Sequence, residues 1–332
     1  MTDASAIGRL PAGTRTRSLC MPGVTSIGLA EESAGGRRTG RLAVRLTVQR
    51  KLSPDELARR GWTLLPDYLV TVDGLRLPVD VVERPGLHIP SLAADSGGGG
   101  PPVPLPDRRA RFDPIQPGIS IGRADGRPGT LGAVVYDLAS GNTCLLSNWH
   151  VLRGPTGDVG DPIYQPALDD GGNPTRDRVG QLLRSHRSSS ADCAIASIET
   201  RKHVPAILGL GVVPARVQRP QPEDLVVKSG RTTGVTYGVV TAIDVQTAVS
   251  YGGITRYVRG FEIGPRAAGG ELTAGGDSGS LWLLDASPAE NGVAVGLQVS
   301  GEDSAAVPTQ SAFACYMDEV CRALNVSLTA PR

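Results

Sequence analysis

The chain has 332 residues, 40% of them apolar and 20% charged, with a formal net charge of +1. That length can bury one sizeable core and one smaller one, and the near-neutral balance gives no sign of nucleic acid or of a strongly acidic partner. No run approaches the ~18 apolar residues of a membrane-spanning helix, while 43 glycines, 26 prolines and 4% aromatic residues favour a turn-rich β architecture.

In chain order, residues 1–19 read as disordered, and residues 1–30 carry arginines at 9, 15 and 17 without the continuous apolar stretch of an export signal. Residues 20–88 read as a small α+β domain. Within it, Leu42, Val44, Leu46 and Val48 alternate along one strand. Ser53-Pro54-Asp55-Glu56 then spells an N-cap, a proline in the first turn and a capping-box glutamate, which predicts a helix to about Arg60. Residues 68–72 and 75–82, joined by Asp73-Gly74, predict a β-hairpin. Residues 89–116 read as a linker, carrying Ser96-Gly97-Gly98-Gly99-Gly100-Pro101-Pro102, flexible and then stiff.

From 117 to 332 the pattern is mainly β. Residues 130–138 and 143–147 flank Ala139-Ser140-Gly141-Asn142 as a hairpin, and further strands are expected at 180–183, 193–198, 225–229, 238–243, 255–261, 279–284 and 293–299. Short strands at this spacing fit either a sandwich or paired barrels.

Three places in this region carry chemistry. In Gly276-Asp277-Ser278-Gly279-Ser280 the glycines permit a tight turn, and the amides of Gly276 and Ser278 can point into one oxyanion hole beside the Ser278 hydroxyl. A serine nucleophile needs a base. Of the four histidines, His150 closes an apolar strand-like run ending Ser147-Asn148-Trp149, whereas His186 and His203 sit among Arg, Lys and Ser, and His88 lies in the tail of the N-terminal segment. The base needs an orienting carboxylate, and Asp192 opens the apolar run Cys193-Ala194-Ile195-Ala196 while the other candidates lie in Gly/Pro/Asn/Arg-rich surroundings. Taken singly, each has an ordinary reading: a polar turn, a satisfied core histidine, a capped strand end.

Together, His150, Asp192 and Ser278 stand in the order His, Asp, Ser, and the chain resembles a chymotrypsin-like serine peptidase. The segment 226–238, with Gly230-Arg231-Thr232-Thr233-Gly234, is similar to one in the bacterial alpha-lytic protease and streptogrisin branch; 295–301 resembles the strand that such enzymes lay beside substrate, and 317–324 their closing helix. Closer still is a group of bacterial trypsin-like proteins with an N-terminal α+β domain, which share stretches like 117–122, 129–133, Leu146-Ser147-Asn148-Trp149-His150 and 160–166. The resemblance implies a mainly β, two-barrel chymotrypsin-like domain with the triad at the junction, and a serine endopeptidase without cofactor or metal. It implies Ser278 as nucleophile, His150 as base, Asp192 as its orienter, Gly276 and Ser278 as oxyanion donors, and Val299, Ser300 and Gly301 as the strand that pairs with a protein or peptide substrate. Leu272 and Thr273 fall near the first specificity pocket. In the bacterial branch a basic side chain supports the residue before the serine, so Lys228 or Arg231 is expected to pair with Asp277.

The chain departs from the family's secreted members, which straddle the histidine with a disulfide: Cys144 precedes His150 and no cysteine follows nearby. Cys20, Cys144, Cys193, Cys315 and Cys321 form an odd set without metal spacing and read as reduced, mostly buried residues. This points to a cytoplasmic setting and to regulated cleavage of intracellular proteins, with neither nucleic acid nor membrane as partner. The N-terminal domain is open to several readings: a folding aid, a cleft blocker, a docking unit for a regulatory partner, or a surface for self-association. Asp169-Asp170-Gly171-Gly172-Asn173 through Asp177 offers hard oxygen ligands but no EF-hand spacing, so a solvated turn is preferred to calcium. The rival functional class is a latent or non-catalytic interaction protein that retains the fold.

Overall fold

A computed structural model describes residues 10–331 except 12, 35–36, 85–105, 252–253, 268–269, 286–291 and 302–309. The N-terminal part runs α1 (Thr14–Leu19), β1 (Val24–Ala34), β2 (Arg37–Val48), α2 (Pro54–Arg59), β3 (Tyr68–Val70) and β4 (Arg76–Glu83). Helix α1 forms inside the stretch read as disordered, because Ser18 and Leu19 bury on its inner face. Helix α2 carries the expected capping box, with Glu56 N donating to Ser53 Oγ at 3.2 Å and Ser53 N to Glu56 Oε2 at 2.9 Å. The alternation in β2 is a buried face, Val44 and Leu46 being fully enclosed.

The first barrel comprises β5 (Ser120–Arg123), β6 (Gly129–Thr130), β7 (Ala133–Asp137), β8 (Thr143–Ser147), β9 (Pro162–Tyr164), β10 (Arg178–Arg187) and β11 (Asp192–Ser197), with a one-turn helix α3 (Trp149–Leu152) after β8. Neighbouring strands follow the order β7-β8-β11-β10-β9-β5-β6. Because β6 runs on into β7, its pairing with β5 closes the sheet into a ring.

The second barrel follows: β12 (Arg216–Val217), β13 (Leu225–Gly230), β14 (Gly234–Tyr251), β15 (Ile254–Pro265), β16 (Leu281–Leu284), β17 (Val293–Gly301) and β18 (Ala312–Tyr316). Its ring is β13-β16-β17-β18-β15-β14, closed by the β13–β14 pairing. Helix α4 (Met317–Leu324) then leads to β19 (Val326–Ser327), which returns to β7 of the first barrel. Two closed rings decide between the sandwich and the paired barrels that the strand pattern alone left open.

Strand β14 extends far beyond the expected 238–243. Asp244 takes a positive φ of 53° at a register shift, so the alternation on either side is out of phase and reads as two short segments. Strand β1, whose apolar signal is Ile27 and Leu29 around Gly28, pairs with β14 on one side and β2 on the other. The N-terminal strands therefore continue the sheet of the second barrel, in the order β14-β1-β2-β4-β3. They also share its apolar cluster: Ile27, Leu29, Val44 and Leu46 pack with Val240, Ile243, Phe261 and Trp282. At the far end of β4, Arg84 Nη1 lies 3.0 Å from Glu262 Oε2 in a largely buried ion pair.

Most of the glycine- and proline-rich run, with His88, lies outside the described residues. Residues 106–116, also read as linker, are packed down: Ile115 is fully buried and donates its N–H to Lys202 O, and the Arg108 guanidinium reaches Ser229 Oγ at 2.6 Å and Gly118 O at 2.9 Å.

Leu29→Ala deletes a fully buried side chain from the cluster that the N-terminal strands share with the second barrel. Urea unfolding of the full chain is expected to show a loss of about 3 kcal/mol; a loss under about 1 kcal/mol would mean that this face contributes little packing.

Candidate active site

Strand β8 ends at Ser147, and Asn148 turns the chain into α3, placing His150 on the first barrel's rim. Asn148 Nδ2 donates to the backbone carbonyl of Asp192 at 2.8 Å, which fixes the start of β11 against this turn. His150 Nδ1 then lies 2.8 Å from Asp192 Oδ2, and its backbone N–H donates to Oδ1 at 3.3 Å. Asp192 is fully buried. Burial pushes its carboxyl up, yet the neighbouring His150 outweighs this and holds it below the usual carboxylate range. With Nδ1 engaged, His150 Nε2 is buried and without a hydrogen-bond partner among the described residues.

Ser278 lies between β15 and β16, in a loop that spans the two barrels. Its backbone carbonyl accepts from Thr130 N at 2.7 Å, and Thr130 Oγ1 donates to Gly276 O at 2.8 Å. A side chain at Gly279, where φ is +92°, would strike Ser147 Oγ and Thr130 O, so only glycine lets this loop seat on β6 and β8. Over Gly129, Val151 and the Ser278 carbonyl approach one another, which brings the histidine turn and the serine loop to the same seam. Ser278 Oγ donates to Val299 O at 3.3 Å. No direct hydrogen bond joins it to His150. Gly276 has φ +96°, and the N–H groups of Gly276 and Ser278 enter no hydrogen bond among the described residues.

Asp277 points away from this seam into the second barrel. It is fully buried, and its carboxylate accepts from Lys228 Nζ at 3.0 Å, Thr233 Oγ1 at 2.6 Å, Thr232 N at 2.9 Å, Ala274 N at 3.1 Å and Thr233 N at 3.2 Å. Burial alone would push this carboxyl up; Lys228 and the convergent donors reverse the direction and hold it low. Lys228, equally buried, is pulled below the ordinary lysine range by desolvation, with Asp277 opposing. Arg231 does not join the pair. Its guanidinium turns to Asp170, while its backbone N–H donates to Thr130 Oγ1 at 2.9 Å.

That contact also changes the reading of the acidic loop. Asp170 pairs with Arg231 and accepts from Ser120 Oγ, and Asp177 is fully buried with Arg111 Nε at 3.0 Å. These carboxylates are structural anchors in place of a solvated turn. His186 and His203 are half-buried; His186 pairs in register with Cys193, next to Asp192, and among the described residues no side-chain hydrogen bond joins either imidazole to that carboxylate.

Strand β17 carries Val299, Ser300 and Gly301 at its end. Its pairing with β16 ends at Leu297, whereas that with β18 continues to Gly301, so these three residues have β18 on one side only. Leu272 and Thr273 are buried beside this strand; Gln310 ties them by accepting from Leu272 N at 2.6 Å and donating to Thr273 O at 2.8 Å.

Two residues at the site went unnoticed in the sequence. Thr130 had only its place in a strand pattern. Tyr251 lies 101 positions after His150 in sequence, yet its ring centroid is 6.0 Å from that of the imidazole and 6.2 Å from that of Trp149.

No protein-family model matches the chain, and no curated protein sequence matches it. Among solved structures it is similar to protease A of Thermobifida fusca, with 18% identity over 65% of this chain and 99% of that one at a TM-score of 0.47. It is also similar to a Nocardiopsis protease, with 15% identity over 64% and 97% of the two chains at 0.46. A third likeness is the chymotrypsin of Cellulomonas bogoriensis, with 20% identity over 66% and 100% at 0.45. Two closed barrels, with the histidine on one and the serine loop on the other, are read from the strand order itself. The fold is chymotrypsin-like. Among the described residues no helix is long and apolar enough to cross a membrane.

Lys228→Met leaves the Asp277 carboxylate buried without its cation. We expect a loss of about 3 kcal/mol in urea unfolding at neutral pH; an unchanged midpoint would show that the pair is dispensable. The same variant has a pH signature. Because Asp277 is held low in the folded chain, its contribution is complete above the unfolded carboxyl value near about pH 4 and is lost as pH falls through the folded value. Without Lys228 that folded value rises, so acid unfolding is expected to begin at higher pH, as followed by far-UV circular dichroism.

Proposed function

We propose that the chain is a serine endopeptidase in which Ser278, His150 and Asp192 form the catalytic triad. The observation that carries this reading is the buried His150 Nδ1–Asp192 Oδ2 contact of 2.8 Å, which leaves Nε2 unclaimed on the rim that meets the Ser278 loop. In the proposed reaction Ser278 Oγ attacks the scissile carbonyl carbon and its proton passes to His150 Nε2. Asp192 keeps the imidazole in the tautomer with Nδ1 protonated and steadies the imidazolium. The carbonyl oxygen, now anionic, is received by the N–H groups of Gly276 and Ser278, each of which is worth roughly a hundredfold or more in rate when preorganised. Collapse expels the amine with the proton from His150, and water repeats the sequence on the acyl-enzyme.

Substrate is proposed to lie extended along the open side of Val299, Ser300 and Gly301, adding a strand to β17. All five cysteines are free thiols, three of them buried, which supports a reducing, cytoplasmic setting and cleavage of intracellular proteins.

A fluorophosphonate probe tests the reading. Wild type is expected to be labelled and Ser278→Ala not at all, and Asp192→Asn is expected to lower kcat at least about a thousandfold. An unlabelled wild type would instead favour a latent or non-catalytic protein.

A further inference from the structure

We propose that Tyr251 is a positioning residue for the His150–Asp192 pair, and that the N-terminal strands hold it there by flanking the β14–β15 arm that carries it. The proposal rests on the peptidase reading above and adds to it a part of the chain that the triad does not involve.

The arm is long. In the barrel, β14 is flanked by β13 as far as Val239 and β15 by β18 at residues 261–263. Beyond those points the two strands continue together to the pairing Tyr251↔Ile254. A two-stranded ribbon in water is marginal. Here its open edge is covered by β1, through Ser26↔Thr247, Ile27↔Gln246 and Leu29↔Ile243, and β2 and β4 lie behind β1. On the other strand, Arg259 N donates to Ser189 O at 2.7 Å, tying the arm to the first barrel.

At its end Tyr251 is 9% exposed and meets His150 edge-on at an interplanar angle of 67° and Trp149 at 82°. Arg187 from β10 caps the group, 3.9 Å from the Trp149 ring centroid and 5.7 Å from that of Tyr251. The Tyr251 hydroxyl is buried with no hydrogen bond of good geometry. A buried hydroxyl is costly unless it donates. The acceptor beside it is Asp192, close enough that the phenol helps to hold the carboxyl low, after His150. Asp192 receives His150 Nδ1 on Oδ2 and His150 N on Oδ1, and a carboxylate has lone pairs for further donors. A rotation of the phenol onto Asp192 completes the bond and adds a further side-chain donor to the carboxylate beside the imidazole. In this arrangement no side-chain hydroxyl among the described residues donates to Asp192, whose carboxylate receives only His150 N and Nδ1. The remaining ionisable neighbours are Arg187 and the thiols of Cys193 on β11 and Cys315 on β18, both pushed up by burial and so kept neutral.

The test uses the full chain. Tyr251→Phe keeps the ring and removes the hydroxyl. A space-filling tyrosine predicts no effect; a positioning one predicts that kcat falls about tenfold with KM within about twofold. It also predicts that the low-field proton resonance of His150 Nδ1 moves or broadens. If neither kcat nor that resonance changes, the role assigned to Tyr251 is wrong. Gly28→Val places a side chain against Val245 on the arm, where even a Cβ comes within 2.7 Å of Val245 Cγ2, and Gly28→Ala is the milder form should valine prevent folding. Either is expected to act in the direction of Tyr251→Phe, and the double variant to be no worse than the stronger single. Additive losses would sever the N-terminal strands from the site. The resonance is read without turnover, so a wild type that neither cleaves nor labels would count against the peptidase reading while the comparison with Tyr251→Phe still decides this one.

Discussion

The site hangs on a buried carboxylate. Asp277 turns inward from the loop that presents Ser278 outward, and a fully enclosed negative charge persists only where cation and donors converge on it. Lys228 from β13 supplies the cation, and the backbone N–H groups of Thr232 and Thr233 with the Thr233 hydroxyl supply the fork that orients it. Because Asp277 is the residue between Gly276 and Ser278, fixing its side chain fixes the directions of the two amides on either side. The electrostatics of the barrel interior therefore set the geometry of the loop at the surface.

The second constraint is the seam between barrels. Thr130 is a hub: its N–H and hydroxyl hold the carbonyls of Ser278 and Gly276, its hydroxyl accepts Arg231 N, and its own carbonyl accepts Ser147 Oγ at 2.7 Å. Ser147 ends the strand that delivers His150. One buried threonine thus couples the serine loop, the segment after Lys228 and the histidine turn, with the partners on both barrels satisfied.

The N-terminal strands are built into this frame. They extend the second barrel's sheet through β1 and share its apolar cluster, so the surface they cover is core on both sides. The β14–β15 arm that they flank reaches across to Trp149 and His150. A chain segment at one end of the sequence is in this way continuous, strand by strand, with the wall of the candidate site.

Much of this is legible in the sequence. The capping box at Ser53 and the alternation in β2 are local signals, dictated by backbone donors at a helix start and by the pleat of a strand. Ser278, His150 and Asp192 stood out because each breaks an apolar or glycine-rich context with a group that chemistry can use. Other features had no local signature. The bulge at Asp244 split β14 in two, because a change of phase hides a long strand from any reading of alternation. Arg231 and Lys228 lie in one segment and read as interchangeable; Lys228 within β13 goes to Asp277, while Arg231 on the turn after β13 goes to Asp170. Thr130 and Tyr251 are ordinary strand residues whose importance comes from what lies across the seam. By itself, then, the sequence determined which groups are candidates for reactive chemistry and where the strands alternate, since both are properties of neighbours along the chain. Only the tertiary structure decided which charges pair, how the barrels meet and what stands behind the histidine, because these depend on residues that become neighbours when the rings close.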